Sequence, residues 1–341
     1  MTEAWIVSNV VVLVLVLGAL WVARFVARNR LWKEAAVQLW RRRPLALLVV
    51  SFFLLAGLAD SVSWVGGLEG GADTVSSFEA KSLIDRIFLE TREKSYSAPF
   101  ADREFYGRAP LDHPGSHPLG TDILGRDILY LTLKGARVAL LIGGLTSLIA
   151  IPLALMFGVS AGYYGGRVDD AVFFFMSTLA SIPGLLLLIA LIMALGRSTL
   201  AVCVALGVTS WVGFCRVSRG ETMKLRELEY VQAARALGVS QLGILFRHIL
   251  PNLMHLVVIT FVLMFSTLVL SEAVLSWLGI GVDGSWGQMI DQARDELSRE
   301  PIIWWNISAA GSALFVLLLA VNFVGDALRD ILDPRTLREN E

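Results

Sequence analysis

Long stretches of apolar residues without a single Asp, Glu, Lys or Arg set the tightest limit on how this chain can fold. A helix needs about 20 such residues to cross the ~30 Å hydrocarbon core of a bilayer. Charged residues make up only 17% of the chain, against about 25% in soluble globular proteins. Seven stretches are long enough: residues 4–23, 44–66 (interrupted by Asp60), 138–166, 171–196, 198–215, 249–271 and 302–325. The sequence therefore predicts an all-α fold, a polytopic bundle of about seven transmembrane helices.

Basic residues between the first two stretches indicate which side of the membrane they face, because Lys and Arg collect on the cytoplasmic side in short loops. Against the single acid Glu34, this linker holds Arg24, Arg28, Arg30, Lys33, Arg41, Arg42 and Arg43. With the linker inside, residues 216–248, which also carry a basic excess, are inside, and the acid-rich residues 279–301 are outside. We therefore expect the N-terminus outside and the C-terminus in the cytoplasm. The first stretch lacks a basic start, which is typical of an uncleaved anchor rather than a signal peptide.

The inside segment between the fifth and sixth stretches shows helical patterning. Apolar residues recur near i, i+3 and i+4 spacing from Leu225 to Leu237, which predicts a helix. Gly238 can adopt the left-handed conformation that ends such a helix, and Ser240 can cap the next one. Pro251 is expected near the start of the following span, where its missing N–H costs little. The segment should therefore form two short helices around a glycine turn, just below the membrane.

The outside segment before residue 138 is harder to interpret. Ser76 and Glu79 have the spacing of a capping box, which predicts a short helix after them. Residues 98–118 are rich in Pro, Gly and His and read as loop. Asp112, His113, His117 and Asp122 cluster here without a recognisable metal-ligand spacing. We expect no metal site.

Several classes of chemistry find no support in the residues. Cys203 and Cys215 lie in one predicted span, which is not the pattern of a disulfide framework or a zinc site. No G-x-x-x-x-G-K-[ST] loop is present to bind nucleotide phosphates. The spans show no catalytic constellation such as a Ser/His/Asp set or paired carboxylates. The sequence thus predicts neither an enzyme nor a bound cofactor, and nothing in it points to a nucleic-acid partner.

The inside segment resembles a loop found in one family of transport proteins. The run from Glu229 to Gly238, followed by the run from Arg247 to Asn252, is similar to the "EAA" loop of ABC importer permeases. That pattern is Glu-Ala-Ala, three residues, Gly, then Leu-Pro, and it is matched here by Ala233, Ala234, Gly238, Leu250 and Pro251. Gln232 stands at the usual Glu position and His248 at the usual Ile position, so docking is expected to depend on shape rather than on a carboxylate ion pair.

Further runs resemble the dipeptide/oligopeptide/nickel branch of those permeases, in the same order along the chain. They are residues 117–127 (HPLGTDILGRD), 162–166 (GYYGG), 272–279 (EAVLSWLG), 285–287 (SWG) and 325–335 (GDALRDILDPR). The resemblance implies a six-helix permease core plus one extra N-terminal helix. In those terms, the chain divides into the extra helix (1–30), a cytoplasmic linker with the first core span (31–67), an extracytoplasmic segment (68–137), the permease core (138–335, with the cytoplasmic coupling loop at 216–251) and a tail (336–341).

By the same resemblance, the chain is expected to be the bacterial inner-membrane subunit of an ATP-driven importer for peptides or related small solutes. Its expected partners are a second permease subunit as a heterodimer, two ATP-binding subunits, an extracytoplasmic substrate-binding protein and the lipid bilayer. The residues expected to couple the chain to the ATPase subunits are Glu229, Tyr230, Gln232, Ala233, Ala234, Gly238, Leu250 and Pro251. The alternative is an ATP-independent secondary transporter or channel, which needs ionisable groups inside the membrane. For that role the spans offer Glu272 and, more weakly, His255.

Single residues elsewhere carry more local expectations. Glu272 either faces the transport pathway or holds a helix contact, or it is hydrated at the outer interface. Thr121 is expected to cap a helix, and Arg126 to pair with Asp127. Four small residues are expected to let helices approach closely: Gly143, Gly144, Gly158 and Gly162. Four tryptophans are expected at the membrane interfaces: Trp64, Trp286, Trp304 and Trp305.

Overall fold

The computed structural model describes Arg24 and residues 30–64, 81–88, 93 and 95–332. The predicted span at 4–23, the Ser76–Glu79 capping box and the tail at 336–341 lie outside these residues. In chain order the helices are α1 (Arg30–Arg42), α2 (Pro44–Ser61), α3 (Leu83–Ile87), α4 (Ile128–Tyr164), α5 (Gly166–Ser181), α6 (Gly184–Leu195), α7 (Thr199–Leu225), α8 (Glu229–Ala236), α9 (Gln241–Ile244), a π-helix (Leu245–Ile249), α10 (Leu250–Trp277), α11 (Trp286–Leu297) and α12 (Trp305–Leu332). Two short strands, β1 (Ser63–Trp64) and β2 (Lys81–Ser82), pair antiparallel.

Within the described residues, five helical segments are long and apolar enough to cross a membrane. They are α2, α4, α7, the continuous run Gln241–Trp277 and α12. The pair α5 and α6 makes a sixth if it is counted as one span, although the two helices are bent by 89°. The all-α polytopic fold is confirmed.

The bend between α5 and α6 divides the span predicted at 171–196 into two helices. Ile182 ends α5 with φ −87° and ψ 132°, an extended conformation. The residue before a proline is pushed out of the helical region by the proline ring, and Pro183 follows here. The apolar run is therefore continuous in sequence but broken in structure.

Two helices extend ten residues beyond their predicted ends, from 138 back to 128 and from 215 on to 225. α4 begins at Ile128, inside the segment 68–137 that was expected to lie outside the membrane, and α7 continues past Cys215 to Leu225. Charged residues mark where a span meets water, whereas a helix can continue into water. The apolar pattern located both spans but misplaced the ends of their helices.

The chain forms two compact units. The first comprises residues 1–140, 276–279 and 283–327, and the second comprises residues 141–275, 280–282 and 328–341. The first unit holds the outer segment, where residues 98–118 contain no helix, as predicted. The second unit holds the proposed coupling loop.

Two tryptophans of the first unit are buried anchors rather than interface residues, which corrects their prediction. The indole N–H of Trp286 donates to the carbonyl of Thr132 at 2.8 Å, and that of Trp305 donates to the carbonyl of Thr121 at 3.0 Å. Both rings are almost completely buried, whereas Trp304 is more than half exposed. Buried tryptophans usually find a hydrogen-bond partner of this kind.

Close packing of α4 against α7 in the second unit confirms part of the glycine prediction. A Cβ atom at Gly158 would lie 2.6 Å from the carbonyl oxygen of Cys215, and one at Gly162 would lie 2.6 Å from that of Arg219. A side chain at either position would force the neighbouring backbone to move, which favours glycine at both. Gly143 faces the ring of Phe265 in the same way, but Gly144 has open space beside it, so its predicted packing role is wrong.

Candidate functional site

The proposed coupling loop is shorter than its predicted range of 216–251, because α7 occupies residues up to Leu225. Residues 226–228 form a turn, and α8 begins at Glu229. The expected helix from Leu225 to Leu237 is therefore two helices with a turn between them. Amphipathic spacing continues through this turn, so the sequence pattern did not reveal it.

Gly238 ends α8 as predicted. Its φ is 80°, in the left-handed region. The N–H of Val239 donates to the carbonyl of Ala234 at 3.1 Å, and the N–H of Gly238 donates to that of Arg235 at 3.1 Å. This pair of bonds is the Schellman motif, which satisfies the last carbonyls of a helix. Because no atom lies within 4 Å of a Cβ built at Gly238, glycine is needed here for backbone conformation rather than for space.

Ser240 caps α9 as predicted, since its hydroxyl accepts from the N–H of Gly243 at 3.2 Å. Pro251, in contrast, does not open the next span. It lies inside the continuous helical run Gln241–Trp277. A π-helix at Leu245–Ile249 precedes it, and the N–H of Leu250 donates to the carbonyl of Leu245. The wider π turn accommodates a proline that cannot donate to the preceding turn.

The underside of the loop is apolar and closely packed. Val231 and Ala234 of α8 are buried against Val159 and Tyr163, at the end of α4. The same cluster also includes Ile244, Leu245, Ile249 and Leu253, with Leu250 packed partly against it. Of the predicted coupling residues, Ala234 and Leu250 therefore serve to hold the loop on the membrane helices.

The opposite side of the loop is exposed and also contains apolar residues. Leu237 is 84% exposed, and Val239 and Leu242 are exposed beside it in sequence. We call these three residues the exposed apolar face. The remaining predicted coupling residues are exposed as well: Glu229, Tyr230, Gln232, Ala233, Gly238 and Pro251. An apolar face held on a rigid base, as here, is typical of a surface that binds another protein.

Comparison with known proteins identifies the family of the chain. Residues 154–338 match the family described as "Binding-protein-dependent transport system inner membrane component". This chain belongs to that family. It is a multi-pass inner-membrane transport subunit rather than an enzyme. Permeases of this kind work with ATPase subunits and a further permease, which favours the importer over the ATP-independent alternative.

Individual relatives cover most of the permease. It is 34% identical over 246 residues to the oligopeptide transport system permease protein OppC of Bacillus subtilis (70% of this chain, 80% of the relative). It is 35% identical over 233 residues to the glutathione transport system permease protein GsiD of Pectobacterium atrosepticum (67% and 76%). A solved structure of the MetNI methionine ABC transporter in an inward-facing conformation aligns with a TM-score of 0.49 and 20% identity, over 60% of this chain and 97% of that chain.

Polar side-chain hydrogen bonds that the sequence did not predict connect parts of the permease loop. Asn252 donates from Nδ2 to the hydroxyl of Tyr230 at 3.0 Å and to the carbonyl of His248 at 2.5 Å. Gln232 donates from Nε2 to the carbonyl of Glu227 at 3.1 Å. The Gln at the usual Glu position thus makes a local bond within the loop, which needs no carboxylate.

Glu272 is buried, which favours a contact within the protein over hydration at the outer interface. It is 4% exposed, and its carboxylate accepts from the backbone N–H of Val282 at 3.4 Å. The residue lies near the end of α10 and contacts the segment that follows that helix. This position fits a contact between a helix and its following loop.

Two predictions for the outer segment, the pairing of Arg126 and the capping role of Thr121, are wrong. Asp127 caps α4, because its carboxylate accepts from the N–H of Leu129 at 2.7 Å, and it also pairs with His117 at 2.8 Å. Arg126 pairs with Asp122 at 2.7 Å instead of with Asp127. Thr121 does not cap the helix. Its hydroxyl accepts from the N–H of Ser97 at 2.7 Å. No group of His, Cys, Asp or Glu side chains among the described residues could hold a metal ion.

A second polar cluster of the outer segment surrounds the end of α2. The hydroxyl of Ser82 donates to Asp60 at 2.9 Å and caps α3 in a capping box with Asp85. Lys134 lies 2.7 Å from Asp85 and 3.6 Å from Asp60. Burial raises the pKa of Asp85, but hydrogen bonds from Lys134, the Ser82 N–H and Tyr130 outweigh it and lower this pKa to about 2. Asp60, which interrupts an apolar run, is thus a paired charge.

Proposed function

We propose that this permease is the membrane-spanning subunit of an importer for peptides or related small solutes, and that separate ATPase subunits dock on its cytoplasmic loop. Its relatives include permeases of oligopeptide, dipeptide and glutathione transport systems. These names support a peptide-like substrate. The proposed partners are a second permease, two ATPase subunits and an external substrate-binding protein.

One observation carries the docking proposal: the exposed apolar face is fixed above a buried base. Leu237 is 84% exposed at the glycine turn, while Val231 and Ala234 of the preceding helix α8 are buried. Burying apolar area at an interface is the main favourable term in association. Movement of the ATPase subunits during their cycle would push this rigid loop and shift the membrane helices.

Two structural expectations belong to the same proposal. The N-terminus lies outside and the C-terminus lies in the cytoplasm, which the distribution of basic residues supports. Glu272 has a packing role rather than a pathway role, which its burial and its bond to Val282 support.

The test is co-purification of ATPase subunits with the tagged permease in mild detergent, for wild type and Gly238→Trp. A tryptophan at Gly238 places a large side chain beside the exposed apolar face and strains the left-handed turn that presents it, so it should block docking. A thermal melt of the variant close to that of wild type shows that the base stays packed. We expect ATPase subunits with wild type and a loss of most of them with the variant. Equal recovery from both proteins would contradict docking at this loop.

A further inference from the structure

The cytoplasmic end of α4 is held by an arginine from the turn that precedes α8. The last bond of the helix runs from the N–H of Gly165 to the carbonyl of Ala161 at 3.0 Å, so the next carbonyls lack helical partners. Arg226 donates from Nη1 to the carbonyl of Gly162 at 2.9 Å and lies 3.5 Å from that of Tyr163. A cation is favoured here because the end of a helix carries partial negative charge.

The guanidinium of Arg226 is also oriented from its other side. Its Nε donates to the carboxylate of Glu227 at 2.9 Å, and its side chain is 27% exposed. Charge-assisted bonds of this kind are shorter and stronger than neutral ones. A lysine at this position could supply the charge, but its flexible ammonium group would not hold the Gly162 carbonyl and the Glu227 carboxylate in the same fixed geometry.

A second arginine joins α8 itself to the same point. The guanidinium carbon of Arg235 lies 5.6 Å from the ring centroid of Tyr163. That ring packs in the apolar cluster with Val231 and Ala234. The end of α4 is thus held by the turn before α8 through Arg226 and by α8 through Arg235 and the apolar cluster.

The contact between α4 and α7 leaves little room for slippage. The backbones meet at Gly158 and Gly162, where a single added Cβ would clash with α7. On the other side of α7, Arg219 forms a two-pronged bond with Asp169 of α5, at 2.5 and 2.6 Å. Since packed helices behave as rigid bodies, a displacement at Arg226 is passed to α4 rather than absorbed nearby.

We propose that Arg226 is a positioning residue that makes α4 move together with the docking loop. The proposal rests on the docking function above and adds which helix receives the motion and through which side chain. Without Arg226 the ATPase subunits still bind the exposed apolar face, but only Arg235 and the apolar cluster then hold the end of α4, which follows the loop less closely. ATP hydrolysis is then less tightly coupled to the rearrangement of the membrane helices.

The experiment uses the complete transporter in lipid nanodiscs, with spin labels at Tyr164→Cys on the end of α4 and Gln241→Cys on the start of α9. Both sites are exposed, and the buried Cys203 and Cys215 are replaced by alanine to avoid extra labels. Pulsed EPR gives the distance between the labels without nucleotide and after trapping with ATP and vanadate. Co-purified ATPase subunits and the vanadate-sensitive ATPase rate are measured on the same samples.

In wild type we expect the same distance in both states, because loop and helix move together. In Arg226→Gln we expect the distance to shift or broaden on trapping, with ATPase subunits still bound in wild-type amounts. Arg226→Lys should restore part of the coupling through its charge. Lys224→Gln is the matched control, because Lys224 is 75% exposed and bonds only locally to Glu221 in the same helix end; it should behave as wild type.

The outcomes separate this proposal from the docking function. A distance in Arg226→Gln that is unchanged on trapping overturns the role of Arg226 and leaves docking intact. Loss of ATPase subunits from Arg226→Gln also overturns it, because Arg226 would then shape the docking surface itself. If wild type retains no ATPase subunits, the docking function fails and this proposal fails with it.

Discussion

Replacement of Leu237 by alanine gives the sharpest test of the exposed apolar face. Leu237 is 84% exposed at the glycine turn and follows the last residue of α8. Because its side chain contributes little to the packing of the permease, the substitution should change folding stability by no more than about 0.5 kcal/mol. Its effect should fall on the association with the ATPase subunit.

The expected size follows from the area that docking would cover. Leu→Ala removes three side-chain carbons, and burial of each is worth about 0.8 kcal/mol, or about 2.4 kcal/mol in all. Scaling by the 84% that is open in the free permease gives about 2 kcal/mol. A tenfold change in affinity corresponds to 1.4 kcal/mol, so the dissociation constant should rise about 30-fold.

The assay is a titration of fluorescent ATPase subunit against the permease in nanodiscs, paired with a thermal melt. Leu124→Ala is the matched control, because Leu124 is 65% exposed in the outer segment, on the side where the ATPase is not expected. We expect weaker binding for Leu237→Ala alone, with melting midpoints close to wild type. Wild-type affinity for Leu237→Ala, or equal weakening by both variants, would refute the reasoning.

Two further predictions concern packing and pH. Gly162→Ala should destabilise the permease by about 1–3 kcal/mol in a thermal melt, because its Cβ would lie 2.6 Å from the carbonyl of Arg219. Gly144→Ala is the control and should not destabilise it, because its Cβ would meet open space. Equal melting midpoints for the two variants would contradict the close contact. Burial raises the pKa of Glu296 above its ordinary 4.5, more than the hydrogen bond from Asn306 lowers it. Wild-type stability should therefore fall as pH rises from about 4.5 through the raised pKa, because the folded state favours the protonated acid. Glu296→Gln should flatten this dependence. Glu300→Gln, the same change at an exposed position, should leave it as it is. A slope that survives Glu296→Gln would assign it to another group.

The sequence alone identified the class of fold, because the bilayer requires long apolar segments with few charges, and such segments are visible in the sequence. Residues 44–61, 138–164 and 302–325 lie largely within membrane-length helices, as their composition required. Helix ends and caps could also be predicted where they depend on one or two residues. Gly238 ends a helix and Ser240 caps one, because those roles follow from the residue's own conformational range and hydroxyl.

The same reasoning failed where the partner of a residue is distant in sequence or where two local partners compete. Arg126 could pair with Asp127 or with Asp122. In the structure Asp127 binds His117 and caps the N-terminus of α4, so Arg126 pairs with Asp122. Trp286 looked like an interface residue, but its partner, the carbonyl of Thr132, is 154 positions away in the chain. Sequence position does not report such distances.

The sequence by itself determined that this chain spans a membrane, and it predicted a structured loop at residues 225–251 that resembles the loop of importer permeases. Only the tertiary structure decided which side of that loop is buried and which is open. Val231 and Leu237 are both apolar, but Val231 lies against α4 while Leu237 faces outward. Because a side chain is hydrophobic, its burial is favourable. Whether it is buried by its own chain or left exposed depends on which helices pack next to it.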